Sequence, residues 1–247
     1  MAQPIDQLPL DRPGSYPAAQ IPGFGSLEKA EKFEGGQSNP TFLLTASSGR
    51  YVLRRKPPGE VLPSAHAVDR EYRVMKALAA TRVPVPRMRV LCADDDVIGS
   101  MFYVMDFLDG NVYWDAPLQG FANADRAAMY DRMNAVLADL HQVDVAAVGL
   151  ADFGKPGNYF ERQCNRWVKQ YRASETERIE AMETLMEWLP GRMPADDGRV
   201  ALIHGDYRLD NLMFAKDRPE IIAVLDWELS TLGHPFSDIA YQCMQLR

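Results

Sequence analysis

In the N-terminal part of the chain, apolar residues come in short runs bounded by glycine, proline and polar residues, a pattern of strands more than of helices. KAEKFEG, TFLLTAS and YVLRRK read as three such strands, and MRVLCA and MFYVMDF as two more. Between them, AVDREYRVMKALAA sets Val68, Tyr72, Met75 and Leu78 at spacings of three and four, which predicts one amphipathic helix. Residues 26–106 are expected to form a small β-rich unit carrying a single helix.

After Asp106 the period changes. ADRAAMYDRMNAVLADLHQ, YFERQCNRWVKQYRA and ETERIEAMETLMEWL each repeat apolar residues every three or four positions and predict helices. Short apolar strands interrupt them: VALI before His204, IIAVL before Asp226, and NLMF between. Residues 107–247 should form a mainly helical unit, incomplete at its C-terminal end. Residues 1–25 are rich in Pro and Gly without either period and read as a lead-in segment with no chemistry. No solenoid repeat is visible.

Composition narrows the function classes. A chain of 247 residues, 47% hydrophobic and 25% charged, is long enough for two lobes around a cleft. Its net charge of −7 argues against a nucleic-acid partner, which would call for a basic face. Cys92, Cys164 and Cys243 form no CxxC pair, so neither a disulfide framework nor a thiolate zinc site is expected, and a reducing cytoplasm fits. No apolar run approaches the roughly 18 to 20 residues of a membrane span, and the N-terminus lacks the pattern of a signal peptide.

The chemistry is concentrated in ALIHGDYRLDNLMF. An apolar strand ends at His204, Asp206 follows two residues later, and Asn211 lies five further on, giving H-x-D-x-x-x-x-N. Such a loop can aim a carboxylate at a hydroxyl while the amide faces a metal, although a polar turn with Asp206 or Asp210 capping local backbone would look the same in isolation. Fifteen residues beyond Asn211, IIAVLDWE ends a second apolar run at Asp226. An amide and a carboxylate are the oxygen donors that Mg²⁺ takes alongside nucleotide phosphates. EGGQSN, between two strands, has the glycines and small polar residues that let backbone N–H groups approach phosphate, without a full G-x-G-x-x-G. In YVLRRK, alternation puts Val52, Arg54 and Lys56 on one face.

These motifs, with SAHAVDREYRVMKAL, FYVMDFLDG and LDWELSTLGHPFSDIA, run in order from about Phe33 to Tyr241. Together they resemble the aminoglycoside phosphotransferase and choline kinase superfamily, and within it the kinase-like domain found fused to acyl-CoA dehydrogenases. The resemblance implies an α+β, protein kinase-like two-lobed fold, and an ATP- and Mg²⁺-dependent kinase that transfers the γ-phosphate to the hydroxyl of a small molecule. It implies Asp206 as the base, Arg208 at the transferred phosphoryl group, and Asn211 and Asp226 as Mg²⁺ ligands. Arg54 stands in for the usual lysine and bridges the phosphates to Glu71, with Lys56 as the alternative contact. Gly35, Gly36, Ser38 and Asn39 approach the phosphates, while Val52, Met105, Asp106, Leu108 and Met213 surround the adenine. His204 and His141 are structural, and Asp238 braces the catalytic loop. Three other classes remain: a protein kinase-like enzyme, disfavoured by the missing HRD, DFG and APE; a nucleotide-binding pseudokinase; and a metal-dependent hydrolase built on His204, Asp206 and His234. The acceptor is not legible, a hydroxyacyl or similar metabolite being the expectation from the fused relatives.

Overall fold

The computed structural model describes residues 15–33, 39–57 and 67–244. Its N-terminal sheet follows from alternation. In β2 (Thr41–Ala46), which pairs antiparallel with β1 (Leu27–Lys32), Phe42, Leu44 and Ala46 point to one face and are buried. A two-residue turn at Ser47 and Ser48 leads into β3 (Gly49–Arg55), where Leu53 joins that face and Val52 and Arg54 take the other.

Helix α2 (Val68–Leu78) lies on the second face and buries Val68, Val74, Met75 and Leu78, together with Glu71. β4 (Met88–Cys92) and β5 (Phe102–Asp106), joined through the short helix α3 (Asp95–Ile98), complete an antiparallel sheet of order β1-β2-β3-β5-β4. The expected strands and helix of this part are all present.

The lead-in reading needs correction. Residues Ser15–Gln20 form a short helix, α1, by sequence the first of the chain, and Ile21 and Phe24 behind it are 2% and 1% exposed. Phe24 stacks on Tyr51 with ring centroids 4.8 Å apart, and Tyr16 meets Phe102 edge-on at 5.7 Å. This segment closes the sheet face opposite α2. A six-residue helix is too short to show a period, which is why the pattern along the chain does not reveal it.

The helical part contains β6 (Asn111–Val112), α4 (Asn123–His141), α5 (Tyr159–Ser174) and α6 (Glu180–Trp188). It continues through β7 (Ala201–Ile203), β8 (Leu212–Phe214), β9 (Ile221–Val224), β10 (Thr231–Gly233) and α7 (Phe236–Met244). Strands pair as β6-β8-β9 and as β10-β7. β6 and β10 were not expected; two or three residues carry no readable alternation. α6 begins at Glu180, later than expected, because the backbone is extended at Glu175 and again at Ile179.

One apolar core spans both parts, taking Val52, Tyr103 and Met105 from the sheet, Met133 and Leu140 from α4, Leu202 and Leu212 from the strands beneath, and Trp227 from the 3-10 turn that follows β9. Arg70 of α2 reaches across to the carbonyls of Phe153 (2.8 Å) and Ser230 (3.3 Å). Sheet-plus-helix packed on a helical part is the α+β architecture expected. No described helix is long and apolar enough to cross a membrane.

Phe24→Ala should destabilise the fold by about 3–5 kcal/mol, the usual cost of emptying a buried aromatic site, even though it lies in a segment without evident pattern. Urea unfolding of the variant against the parent measures this; a change below about 1 kcal/mol would mean that the segment merely rests on the sheet.

Candidate active site

β7 is fully apolar and ends at Ile203, where the chain turns sharply through His204, Gly205 and Asp206. Gly205 has φ +84°, and a Cβ there would lie 2.7 Å from the carbonyl oxygen of Leu229, so only glycine fits the turn. The turn is braced by Asp238 of α7, whose carboxylate is fully buried and accepts the N–H groups of His204 (2.9 Å) and Gly205 (2.8 Å). His141 at the end of α4 bonds the same carboxylate at 3.0 Å.

Beyond the turn, residues alternate. Tyr207 and Leu209 enter the core, Tyr207 donating its hydroxyl to Met133 O, while Asp206, Arg208 and Asp210 face outward, half-buried. Asn211 folds back and donates its Nδ2 to both the carbonyl and the carboxylate of Asp206, each at 2.9 Å. That leaves the Asn211 amide oxygen as the acceptor on this side. Arg208 lies with Nε 3.5 Å from the Asp206 carboxylate and holds Asp210 at 2.8 Å.

The second loop follows β9. Leu225 donates its N–H to Asn211 O and accepts His204 Nε2 on its own carbonyl, both at 2.8 Å, which stitches the two loops together. His204 Nδ1 accepts the Asp206 N–H at 3.3 Å. Both ring nitrogens of His204 are therefore engaged in holding the two loops together. Asp226 then adopts φ +59°, a left-handed conformation that a non-glycine residue takes at some cost.

Arg54 of β3 faces this loop. Its Nη2 lies 2.7 Å from Asp226 Oδ1 and 3.9 Å from Glu228, and its Nε lies 3.0 Å from Glu71 Oε2. Lys56 sits past the end of the strand, with its N–H on Met101 O. Glu71, 1% exposed, also accepts Asn39 Nδ2 at 2.9 Å and the Tyr103 hydroxyl at 3.1 Å. Burial pushes the Glu71 carboxyl up to about 7, outweighing the attraction of Arg54. Arg54 itself is held above its ordinary range by Glu71, Tyr103, Asp226 and Glu228, against a large burial effect, and stays cationic.

Among the adenine-site candidates, Val52 and Met105 face each other across β3 and β5 and are buried. Met213 is half-buried on β8 beside Gly110, where a Cβ would fall 2.6 Å from its Cγ. Asp106 is less available than expected: its N–H donates to Arg87 O at 3.0 Å and its carboxylate pairs with Arg89. Phe107 N–H faces Arg50 O at 3.4 Å, while among the described residues no backbone hydrogen bond uses the N–H or C=O of Leu108. Gly35, Gly36 and Ser38 lie outside the described residues. Asn39, expected near phosphate, donates its side-chain amide to Glu71. Tyr103 gives no sign of its position in the sequence; its partner in register across the sheet is Arg54, a fact that needs the strand pairing.

His234 does not join His204 and Asp206. Its Nε2 meets Asp197 at 3.2 Å and its Nδ1 accepts Phe236 N–H, among the rings of Phe160 and Phe236. The hydrolase reading therefore loses its metal triad.

The model of the phosphotransferase enzyme family (APH) matches residues 29–247. The chain belongs to that family. The chain is 51% identical over 213 residues to mouse (Mus musculus) acyl-CoA dehydrogenase family member 10, covering 86% of this chain and 20% of that protein. It is also 51% identical to a Ralstonia eutropha JMP134 crystal structure named as a candidate aminoglycoside phosphotransferase, with TM-score 0.85 over 96% of this chain and 70% of that one. A thermostable mutant of aminoglycoside phosphotransferase APH(4)-Ia, in ternary complex with ADP and hygromycin B, shares the fold at 16% identity, with TM-score 0.62 over 88% of this chain and 72% of that one. The kinase-like two-lobed fold is thus established, and the chain spans only a fifth of the mouse relative.

Since burial pushes the folded Glu71 carboxyl up to about 7 from an ordinary 4.5, the folded chain binds this proton more tightly than the unfolded one. The parent should lose stability relative to Glu71→Gln as pH rises from about 4.5 to about 7, by roughly 3 kcal/mol in all. Urea titrations of both proteins across that window test it; a pH-independent difference would mean that Glu71 is ionised throughout.

Proposed function

We propose that this chain transfers the γ-phosphate of ATP to a hydroxyl of a small molecule, with Mg²⁺ as cofactor. The observation that carries the reading is the convergence of Asp206, Asn211, Asp226 and Arg54 through two hydrogen-bonded loops and one ion pair. The nucleotide reading gains support from the fold relative that holds ADP and hygromycin B.

The donors fit Mg²⁺. The Asn211 amide oxygen and the Asp226 carboxylate are hard oxygen ligands, and the left-handed backbone at Asp226 is the kind of local strain that persists where a side chain must be aimed. When bound, Mg²⁺ would neutralise charge on the β- and γ-phosphate oxygens. Arg54 would orient the phosphates through its guanidinium fork. Arg208 would supply positive charge next to the transferred group, and Asp206 would accept the proton of the attacking hydroxyl while Asn211 keeps its carboxylate in place. Phosphoryl transfer asks little covalent chemistry of the protein, so positioning and electrostatics carry most of the rate.

A small metabolite suits the acceptor better than a protein or nucleic acid, since the chain is acidic and lacks the segments that seat a protein substrate. The likeness to acyl-CoA dehydrogenase family proteins favours a hydroxyacyl compound. A pseudokinase would show no ATP turnover.

Asp206→Asn should lower phosphoryl transfer by about 10² to 10⁴ while Mg·ATP affinity stays within a few-fold of the parent. A metabolite screen with ATP and Mg²⁺, followed by kinetics of the variant, measures both; retention of more than about a tenth of the rate would remove Asp206 from the role of base. Asp226→Ala should abolish the enhancement of ATP binding by Mg²⁺, read by calorimetry with and without the metal. Equal enhancement in both proteins would place the metal elsewhere.

A further inference from the structure

Glu71 is the point at which four structural elements meet. Its carboxylate comes from α2; Arg54 approaches from β3, Tyr103 from β5, and Asn39 from the residues just before β2. The three strands place these groups at one level: Arg54 is in register with Tyr103 on one side and with Thr41 on the other. Thr41 in turn donates its hydroxyl to Asn39 O at 3.0 Å, which fixes the backbone at Asn39.

The two carboxylate oxygens are divided among the donors. Oε1 takes Asn39 Nδ2 at 2.9 Å and lies 3.3 Å from Arg54 Nε, while Oε2 takes the Tyr103 hydroxyl at 3.1 Å and lies 3.0 Å from Arg54 Nε. With one neutral donor on each oxygen and the guanidinium spanning both, rotation of the carboxylate about its Cγ–Cδ bond would break a buried hydrogen bond in either direction. Asn39, Glu71 and Tyr103 are 2%, 1% and 1% exposed, so water does not replace the lost partner without opening the core.

We infer that Asn39 and Tyr103 are positioning residues, holding the Glu71 carboxylate so that Arg54 is aimed at the Asp226 side of the cleft where the phosphates of the nucleotide would lie. This rests on the nucleotide reading above for what Arg54 does, though not for how it is held. The role of Asn39 is then opposite to that of a loop residue touching phosphate: it faces the helix and ties the end of the glycine-containing segment to α2. Tyr103 remains protonated, because burial raises its hydroxyl well above the ordinary range, and so it acts purely as a donor. A phenylalanine or an aliphatic residue would fill the same core position and leave Oε2 one donor short.

The test has a structural arm and a kinetic arm. In the nucleotide-free protein, solvent exchange of the Arg54 Nε–H is followed by ¹⁵N NMR in the parent, in Asn39→Ala and in Tyr103→Phe. Tyr103→Phe keeps the ring and removes one hydroxyl, so it preserves the fold if Asn39→Ala does not. Each variant should exchange about tenfold faster, the scale expected for one hydrogen bond to a charged group. Unchanged exchange in Tyr103→Phe would overturn the inference, whatever the protein binds. In the kinetic arm, each variant should raise KM for ATP several-fold with a smaller effect on kcat, and neither should add to the loss already caused by Glu71→Ala. An undiminished effect in the Glu71→Ala background would show that these residues act on the core and not through Glu71, and would also overturn it. A parent that binds no ATP would instead refute the proposed function and leave the exchange measurement to decide the positioning role.

Discussion

A carboxylate with 1% exposure sits between a sheet and a helix, and much of this molecule is arranged around keeping it there. Burying the Glu71 charge without partners would cost several kcal/mol, and burial alone drives its carboxyl toward the protonated form. Arg54 offsets that cost, and by reaching on to Asp226 it also joins the sheet to the loop after β9. The ion pair is therefore less a source of stability than a constraint on geometry. It requires α2 to lie on one particular sheet face at one height, and it fails if strand β3 slips by a residue, since Arg55 faces the opposite side of the sheet.

The same device recurs in the other half of the site. Asp238, fully buried, accepts two backbone N–H groups of the turn that presents Asp206, and His141 bonds the same carboxylate. His204 then links that turn to Leu225, in the loop just before Asp226. Each outward-facing carboxylate, Asp206 or Asp226, is thus backed by buried polar groups whose own hydrogen bonds are made. Under the proposed function this second layer would set the aim of both acids, since positioning and fixed charge contribute most of the rate of phosphoryl transfer.

The family and the fold enter through short polar motifs at strand ends, and these are legible in a bare sequence for a physical reason. Loop geometry such as H-x-D-x-x-x-x-N is local: five residues decide where Asn211 returns, and its bond to Asp206 follows from that spacing. Alternation in YVLRRK likewise puts Val52 and Arg54 on one face without any knowledge of neighbours. The long helices announce themselves by period, whereas α1, β6 and β10 do not, being too short to display one.

By itself, then, the sequence determined the order of elements, the faces of the strands and the identity of the outward-facing acids, all of which depend on residues a few positions apart. Only the tertiary structure decided that Asn39 and Tyr103 converge on Glu71 from positions 32 residues away on either side of it. It alone showed that Ile21 and Phe24 close a core, that Asp106 is tied to Arg87 and Arg89, and that His234 lies with Asp197 apart from His204. These contacts are set by strand register and by the docking of α2 on the sheet. Both are global packing solutions in which apolar burial chooses the neighbour, and a residue's own type does not record which neighbour that will be.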